Sequence, residues 1–159
     1  MDLRCSPRQA YGFFTENEKL AEWLAAEADV EPRLGGKYEL PWNPHERETD
    51  SNIGSRITAF VPDALLAFEW RGPLEYHDLM NFADPLTHVS VFFLPIEHDG
   101  ERWTRIRLVH TGWRSTPDWE GPWAFFDNAW KMVFARLKQR VDEGETPPAW
   151  RKRPQEKGF

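Results

Sequence analysis

Cysteine is nearly absent: Cys5 is the only one in 159 residues, so neither an intramolecular disulfide nor a multi-thiolate metal site is available. No run approaches the roughly 20 consecutive apolar residues that span a bilayer, and no apolar stretch near the N-terminus resembles a secretory signal. Together these absences point to a soluble protein of the reducing cytoplasm with no membrane insertion. Positive charge is in deficit. The chain has 20 Lys and Arg against 26 Asp and Glu, a net charge of −6, and such a field repels phosphate backbones and argues against nucleic acid as a partner. Internal repeats are missing, as are a G-x-S-x-G elbow, an H-E-x-x-H helix, a phosphate-binding G-x-x-x-x-G-K loop and a dinucleotide glycine fingerprint.

What the chain does have is aromatic surface. Nine Trp and eleven Phe, within 40% hydrophobic residues, are too much apolar matter for a disordered segment. The length suits one domain, placed at 1–145. The remaining 146–159 form a Pro-rich basic tail in which Arg151, Lys152 and Arg153 stand among Pro147, Pro148 and Pro154.

Ser6, Pro7 and Gln9 supply an N-cap, a proline for the first helical position and a capping-box partner. Thr15 and Glu18 repeat the capping-box pattern, so two short helices are expected from about Pro7 to Ala25. Strands follow, and a one-residue slip would turn every side chain over, so each hairpin register can be tested by the face it creates. At Gly35-Gly36 a two-residue turn would set Tyr38 and Leu40 against Arg33 and Glu31. A three-residue loop sets them against Pro32 and Val30, with a glycine taking the positive φ, and is preferred. At Asp63-Ala64 a tight turn pairs Val61 with Leu66, Ala59 with Phe68 and Ile57 with Trp70, a wholly apolar face. Asp99-Gly100 is the strongest hairpin signal, pairing Phe93 with Ile106, Val91 with Leu108 and Val89 with His110. Phe92, Ser90, Arg105 and Arg107 fall on the opposite face, where Phe92 and Arg107 meet. Residues 1 to 5 offer one further short strand. Gly121 and Pro122 then open a helix of about 20 residues with Trp123, Phe126, Trp130, Val133, Leu137 and Val141 at helical spacing, closed by Gly144. The predicted architecture is α+β: two short N-terminal helices, about six antiparallel strands, and a long amphipathic C-terminal helix against the sheet's apolar face.

Five segments in this order carry a family resemblance: Ser6-Pro7 to Trp23; Leu34-Gly35-Gly36-Lys37-Tyr38; Phe68-Glu69-Trp70; Thr104 through His110 to Trp113; and Phe125-Phe126-Asp127-Asn128-Ala129-Trp130. The chain resembles the activator of heat-shock-protein-90 ATPase homolog-like group of the START and Bet v 1-like (SRPBCC) superfamily from Ser6 to about Glu143. The resemblance implies a helix-grip fold, in which a curved antiparallel sheet wraps the long C-terminal helix and leaves a cavity between them. It implies lipids, sterols, hormones or polyketides as ligands of relatives, polyketide cyclisation or hydration in some, and assistance to a heat-shock-protein-90 chaperone in others. The separate N-terminal domain through which those co-chaperones make most of that contact is not part of the match.

The register places Ile57, Phe68, Trp70, Val91, Phe93, Leu108 and His110 on the inner sheet face, with Trp42 from a loop and Phe126 and Trp130 from the helix opposite. Aromatic walls suit a small apolar or aromatic ligand. His110 is either a polar anchor for that ligand, a general acid or base of a cyclase-like enzyme, or a structural histidine tied to a carbonyl or to the helix. Met132 reads as core filler and Cys5 as inert. The loops 41–52, with His45 and Glu46, and 72–85, with Tyr76, His77, Asp78, Met80 and Asp84, read as covers for a cavity mouth. Their spacing matches no metal-ligand pattern, so no metal and no cofactor is expected. The outer face around Phe92, Arg105 and Arg107 offers a surface for a homodimer or a chaperone partner.

Overall fold

The computed structural model describes residues 1–144; the basic tail expected over 146–159 lies outside the described residues. Ser6 opens the first helix as its neighbours dictate. The Gln9 amide donates to Ser6 Oγ (3.2 Å) and the Ser6 amide to Gln9 Oε1 (3.0 Å), starting α1 (Pro7–Thr15) with Pro7 in its first turn. α2 (Asn17–Trp23) follows without the Thr15 cap. Thr15 ends α1, and its hydroxyl donates back to the Tyr11 carbonyl at 3.0 Å. Because Thr15 is itself the last helical residue of α1, with its hydroxyl turned back along that helix, the N-cap of α2 falls to Glu16, with no side-chain cap bond.

The main sheet is built from β1 (Asp2–Leu3), β4 (Ile57–Val61), β5 (Leu65–Trp70), β6 (Thr87–His98) and β7 (Glu101–Thr111), all antiparallel in the order β1-β7-β6-β5-β4. A smaller pair, β2 (Asp29–Val30) and β3 (Tyr38–Glu39), runs beside β4, to which it is joined by Tyr38 N donating to Ser55 O and Ile57 N to Gly36 O, both at 2.9 Å. Between β5 and β6 lies a one-turn helix, α3 (His77–Met80).

The β6–β7 hairpin has the predicted register. Asp99 and Gly100 both take positive φ, and Phe93 pairs with Ile106, Val91 with Leu108, Val89 with His110 and, outside, Phe92 with Arg107. The β4–β5 register differs from expectation by one residue. Val61 pairs with Leu65 across a three-residue loop in which Asp63 takes φ 62°, which sets Phe60, not Val61, beside Leu66. A bulge at Thr58 then restores Ile57 to the inside, opposite Phe68; an extra residue in one strand resets which face each side chain takes. Ala59 and Val61 are therefore on the outer face, Val61 being 49% exposed. At the first hairpin Gly35 does take positive φ, but Tyr38 pairs with Val30 rather than Pro32. The loop is two residues longer because Arg33 N and Gly36 N turn inward to the Glu31 and Arg33 carbonyls. An even shift preserves the face, and Val30, Tyr38 and Leu40 are all buried.

A single turn of 3-10 helix (Pro117–Trp119) leads into α4 (Glu120–Glu143), 24 residues long and closed by Gly144 at φ 60°. Pro122 sits within the first turn rather than at its first position, where its missing N–H costs no helical bond. α4 lies along the inner face beside α2, and at that end the interior is solid. Phe14 packs edge-on against Trp23 (4.8 Å between ring centroids) and Phe93 (5.3 Å), and Phe134 closes over Trp23 at 6.2 Å. Tyr38 stacks on Phe68 at 3.8 Å, and its hydroxyl donates to the Phe14 carbonyl at 2.9 Å.

Leu137, fully buried, and Met132, 59% exposed, lie little more than one turn apart on α4 and report which stripe faces inward. Leu137→Ala is expected to cost about 2–5 kcal/mol in urea unfolding, by loss of burial and opening of a void. Met132→Ala is expected to stay within about 0.5 kcal/mol of the parent; equal costs would place the helix wrongly.

Candidate functional site

At the other end of α4 the sheet and helix bring four aromatic rings around one imidazole. Trp70 ends β5, and His110 is the penultimate residue of β7. Phe126 and Trp130 stand one turn apart on α4, so both project from the same helical face. Ring centroids lie 4.3 Å from His110 for Trp113, 5.3 Å for Phe126, 6.2 Å for Trp130 and 6.3 Å for Trp70. Trp113 reaches this position because Gly112 turns the chain out of β7 at φ 86°, where a Cβ would come within 3.1 Å of Thr87 Cα. Its indole then donates to the His110 carbonyl at 3.0 Å.

The imidazole is tied to the helix. Trp130 Nε1 donates to His110 Nδ1 at 3.2 Å. An indole N–H can only donate, so Nδ1 must carry the lone pair and the neutral ring holds its proton on Nε2. Burial pushes the His110 pKa down to about 3, helped by the nearby His88. At neutral pH this ring is therefore an uncharged donor. Its basic nitrogen is already occupied, which removes the geometry a general base needs.

Two clefts flank α4 here. The larger, about 490 Å³, is lined by Trp42, Trp70, Phe126, Ala129, Trp130 and Val133, with Pro73 and Leu24 opposite and Asn128, Met132 and Arg136 along the rim. The smaller, about 290 Å³, lies between α4 and β7, where Leu108, His110 and Trp113 meet Phe126 and Trp130, with Trp123 and the Asp127–Lys131 ion pair at its margin. Phe126 and Trp130 form the wall common to both.

Of the side chains expected around a ligand, Trp42, Trp70, Phe126 and Trp130 line the larger cleft and Leu108 and His110 the smaller. Ile57, Phe68, Val91 and Phe93 line neither. They are packed core, at most 2% exposed, because α1, α2 and Tyr38 fill the hollow above them. Met132 is no core filler, being an exposed rim residue, and Trp123 is 54% exposed because Trp119, just before the helix, takes the buried seat beside Trp113. Ala129 and Val133 were legible in principle, three and seven residues after Phe126; Pro73 and Leu24 carried no sequence signal.

The two long loops are joined where Leu74 N donates to Asp50 Oδ1 at 3.1 Å, and each sends one side chain, Trp42 or Pro73, to the larger cleft. Met80 is fully buried and Tyr76 packs against Phe125. Among the described residues no group of three His, Cys, Asp or Glu side chains is placed to hold a metal ion. No helix among them is long and apolar enough to cross a membrane. Burial pushes the Cys5 thiol up to about 11, away from the reactive thiolate.

A curved antiparallel sheet holding a long C-terminal helix, with short helices filling one end and clefts at the other, defines a helix-grip α+β domain of the START and Bet v 1-like type. The chain belongs to the Activator of Hsp90 ATPase homolog 1-like protein family, whose model matches residues 4–142. Similar solved structures include the Aha1 dimer from Colwellia psychrerythraea (17% identity, TM-score 0.69, covering 92% of this chain and 95% of that one). An HSP90 activator from Plasmodium falciparum gives 17% identity and TM-score 0.65 over 90% and 91%. An AHSA1-like protein from Rhizobium etli gives 22% identity and TM-score 0.62 over 93% and 81%. A search of curated proteins gives no match. Membership supports a ligand-binding or interaction domain.

The His110 environment sets a pH dependence. The unfolded ring takes up a proton near its ordinary 6.5, the folded ring only near 3. Between these values the unfolded chain binds the extra proton. His110's stability contribution is therefore whole above pH 6.5 and falls as pH drops through that window, by on the order of 5 kcal/mol at the acid limit. The His110 ring resonances should not titrate between pH 8 and 5, and His110→Phe should flatten the pH slope of urea unfolding; an NMR midpoint near 6.5 would refute the buried neutral ring.

Proposed function

We propose that the domain binds a small apolar or aromatic molecule in the larger cleft between α4 and the sheet. The observation that carries this reading is the cleft itself: about 490 Å³, within the range of small-molecule sites, walled by Trp42, Trp70, Phe126 and Trp130 with polar groups confined to its rim. Stacking against such rings adds about 0.5–1.5 kcal/mol beyond burial. Catalysis of the cyclase or hydratase kind is the weaker reading, because His110 is neutral and its Nδ1 is engaged by Trp130. His110 faces the smaller cleft across the Phe126–Trp130 wall, and we take it there as a donor, not a base.

The fluorescent probe N-phenyl-1-naphthylamine should bind one equivalent with micromolar affinity and quench the cleft tryptophans. Ala129→Trp, which fills the cleft, should weaken it at least tenfold. Asn128→Trp, at an exposed rim position, guards against misfolding of the first variant, and thermal unfolding reports whether either is folded. Unchanged affinity in both folded variants would place binding elsewhere.

A second reading concerns partners, and exposed apolar side chains on the outer sheet face favour it. Phe92, Leu94, Val61 and Val109 are between 38% and 49% exposed there; Val61 and Phe92 lie in the row that runs Val61, Leu65, Phe92, Arg107 across the strands, and Leu94 and Val109 in the rows on either side of it, paired with Arg105 and Ser90. Arg105 is held by Asp2 through paired bonds of 2.8 Å, which leaves the apolar groups as the adhesive part. With a relative solved as a dimer and another described as an HSP90 activator, this face supports a second copy of the chain as partner, with a chaperone as the alternative occupant. Sedimentation velocity should show a dimer that Phe92→Asp converts to monomer while probe binding persists; a monomeric parent protein would exclude the homodimer.

A further inference from the structure

Two N–H donors in the aromatic cluster have no acceptor. Trp70 is only 2% exposed, yet its Nε1 makes no hydrogen bond among the described residues, and the same holds for His110 Nε2, which is likewise sealed from solvent. Buried N–H groups are almost always paired, and one left without a partner is destabilising. The other unpartnered polar atoms, on Asn52, Ser55, Arg71 and Trp103, line neither cleft. Trp70 and His110 do, one from each side, and both rings touch Phe126 (6.0 and 5.3 Å) and Trp130 (5.0 and 6.2 Å).

Both free groups are donors, and neither can reverse. An indole nitrogen never accepts, and the bond from Trp130 to His110 Nδ1 fixes the remaining proton on Nε2. The clefts they line are walled by aromatic rings together with the apolar Leu24, Pro73, Ala129, Val133 and Leu108. The charged groups at the clefts are Arg136 on the rim of the larger, which has interactions of its own, and the Asp127–Lys131 pair on the margin of the smaller, which is self-compensated. Accordingly, we infer that the ligand is an apolar, planar molecule bearing a hydrogen-bond acceptor without a charge, a ketone, quinone or ester oxygen, received by the N–H groups of Trp70 and His110. This inference rests on the reading of the larger cleft as a ligand site. It carries a mechanical corollary. Because both donors are sealed, the acceptor reaches them only when Phe126 or Trp130 shifts its ring, and that same movement opens the wall shared by the two clefts.

A matched pair of probes tests it: 2-acetylnaphthalene and 2-isopropenylnaphthalene, which differ only in a carbonyl oxygen replaced by a methylene. The ketone should bind at least tenfold more tightly to the unaltered protein by tryptophan quenching. It should also shift the Trp70 indole N–H resonance downfield, and the hydrocarbon should not. Trp70→Phe and His110→Phe should each lower the ratio of ketone to hydrocarbon affinity several-fold. Equal affinities with no indole shift overturn the inference while leaving the cleft as an apolar site. Failure of both compounds to bind overturns the ligand reading and the inference with it.

Discussion

The structure depends on a mismatch of shapes. A curved five-stranded sheet offers a hollow wider than one helix, and a helix presents one apolar stripe, so the hollow must be filled from more than one source. At one end α1 and α2 supply the filling: Phe14 and Trp23 reach Phe93 and Phe134, and Tyr38 covers Phe68. At the other end nothing equivalent arrives. Phe126 and Trp130 alone bridge from α4 to Trp70 and His110, and the space on either side of that bridge is the pair of clefts.

This division explains which parts of the molecule were legible in the sequence. The β6–β7 hairpin was, because Asp-Gly fixes a two-residue turn and hence every pair along the ladder. The β4–β5 hairpin was not. Ala59 and Val61 satisfy an inward register as well as Phe60 does, and the bulge at Thr58 that decides between them leaves no mark in hydrophobic alternation. The family and the order of elements were readable from Ser6, Gly35-Gly36 and the final helix. The boundary between solid core and open cleft was not, since Phe68 and Phe93 look no different in sequence from Trp70. They differ because α1 covers Phe93 and Tyr38 covers Phe68, which leaves Trp70 at an edge.

His110 shows how a partner decides chemistry that residue type leaves open. As a sequence feature it offers a base, an anchor or a strut. Trp130 removes the ambiguity by occupying one nitrogen, and burial removes the cation. What remains is a strut on one side and a donor on the other. The tie to α4 agrees with the structural reading of this residue, and the free Nε2 adds to it.

The edge strand β1 has a temporal consequence. Asp2 and Leu3 pair with Arg105 and Thr104, about a hundred positions downstream, so this contact closes a long loop. Such distant pairing slows folding relative to a helical bundle of equal size, since closing a long loop must precede the contacts that reward it. Until that loop closes, the β7 flank of the central ribbon stays unpaired, and an open strand edge is a template for misassociation between copies.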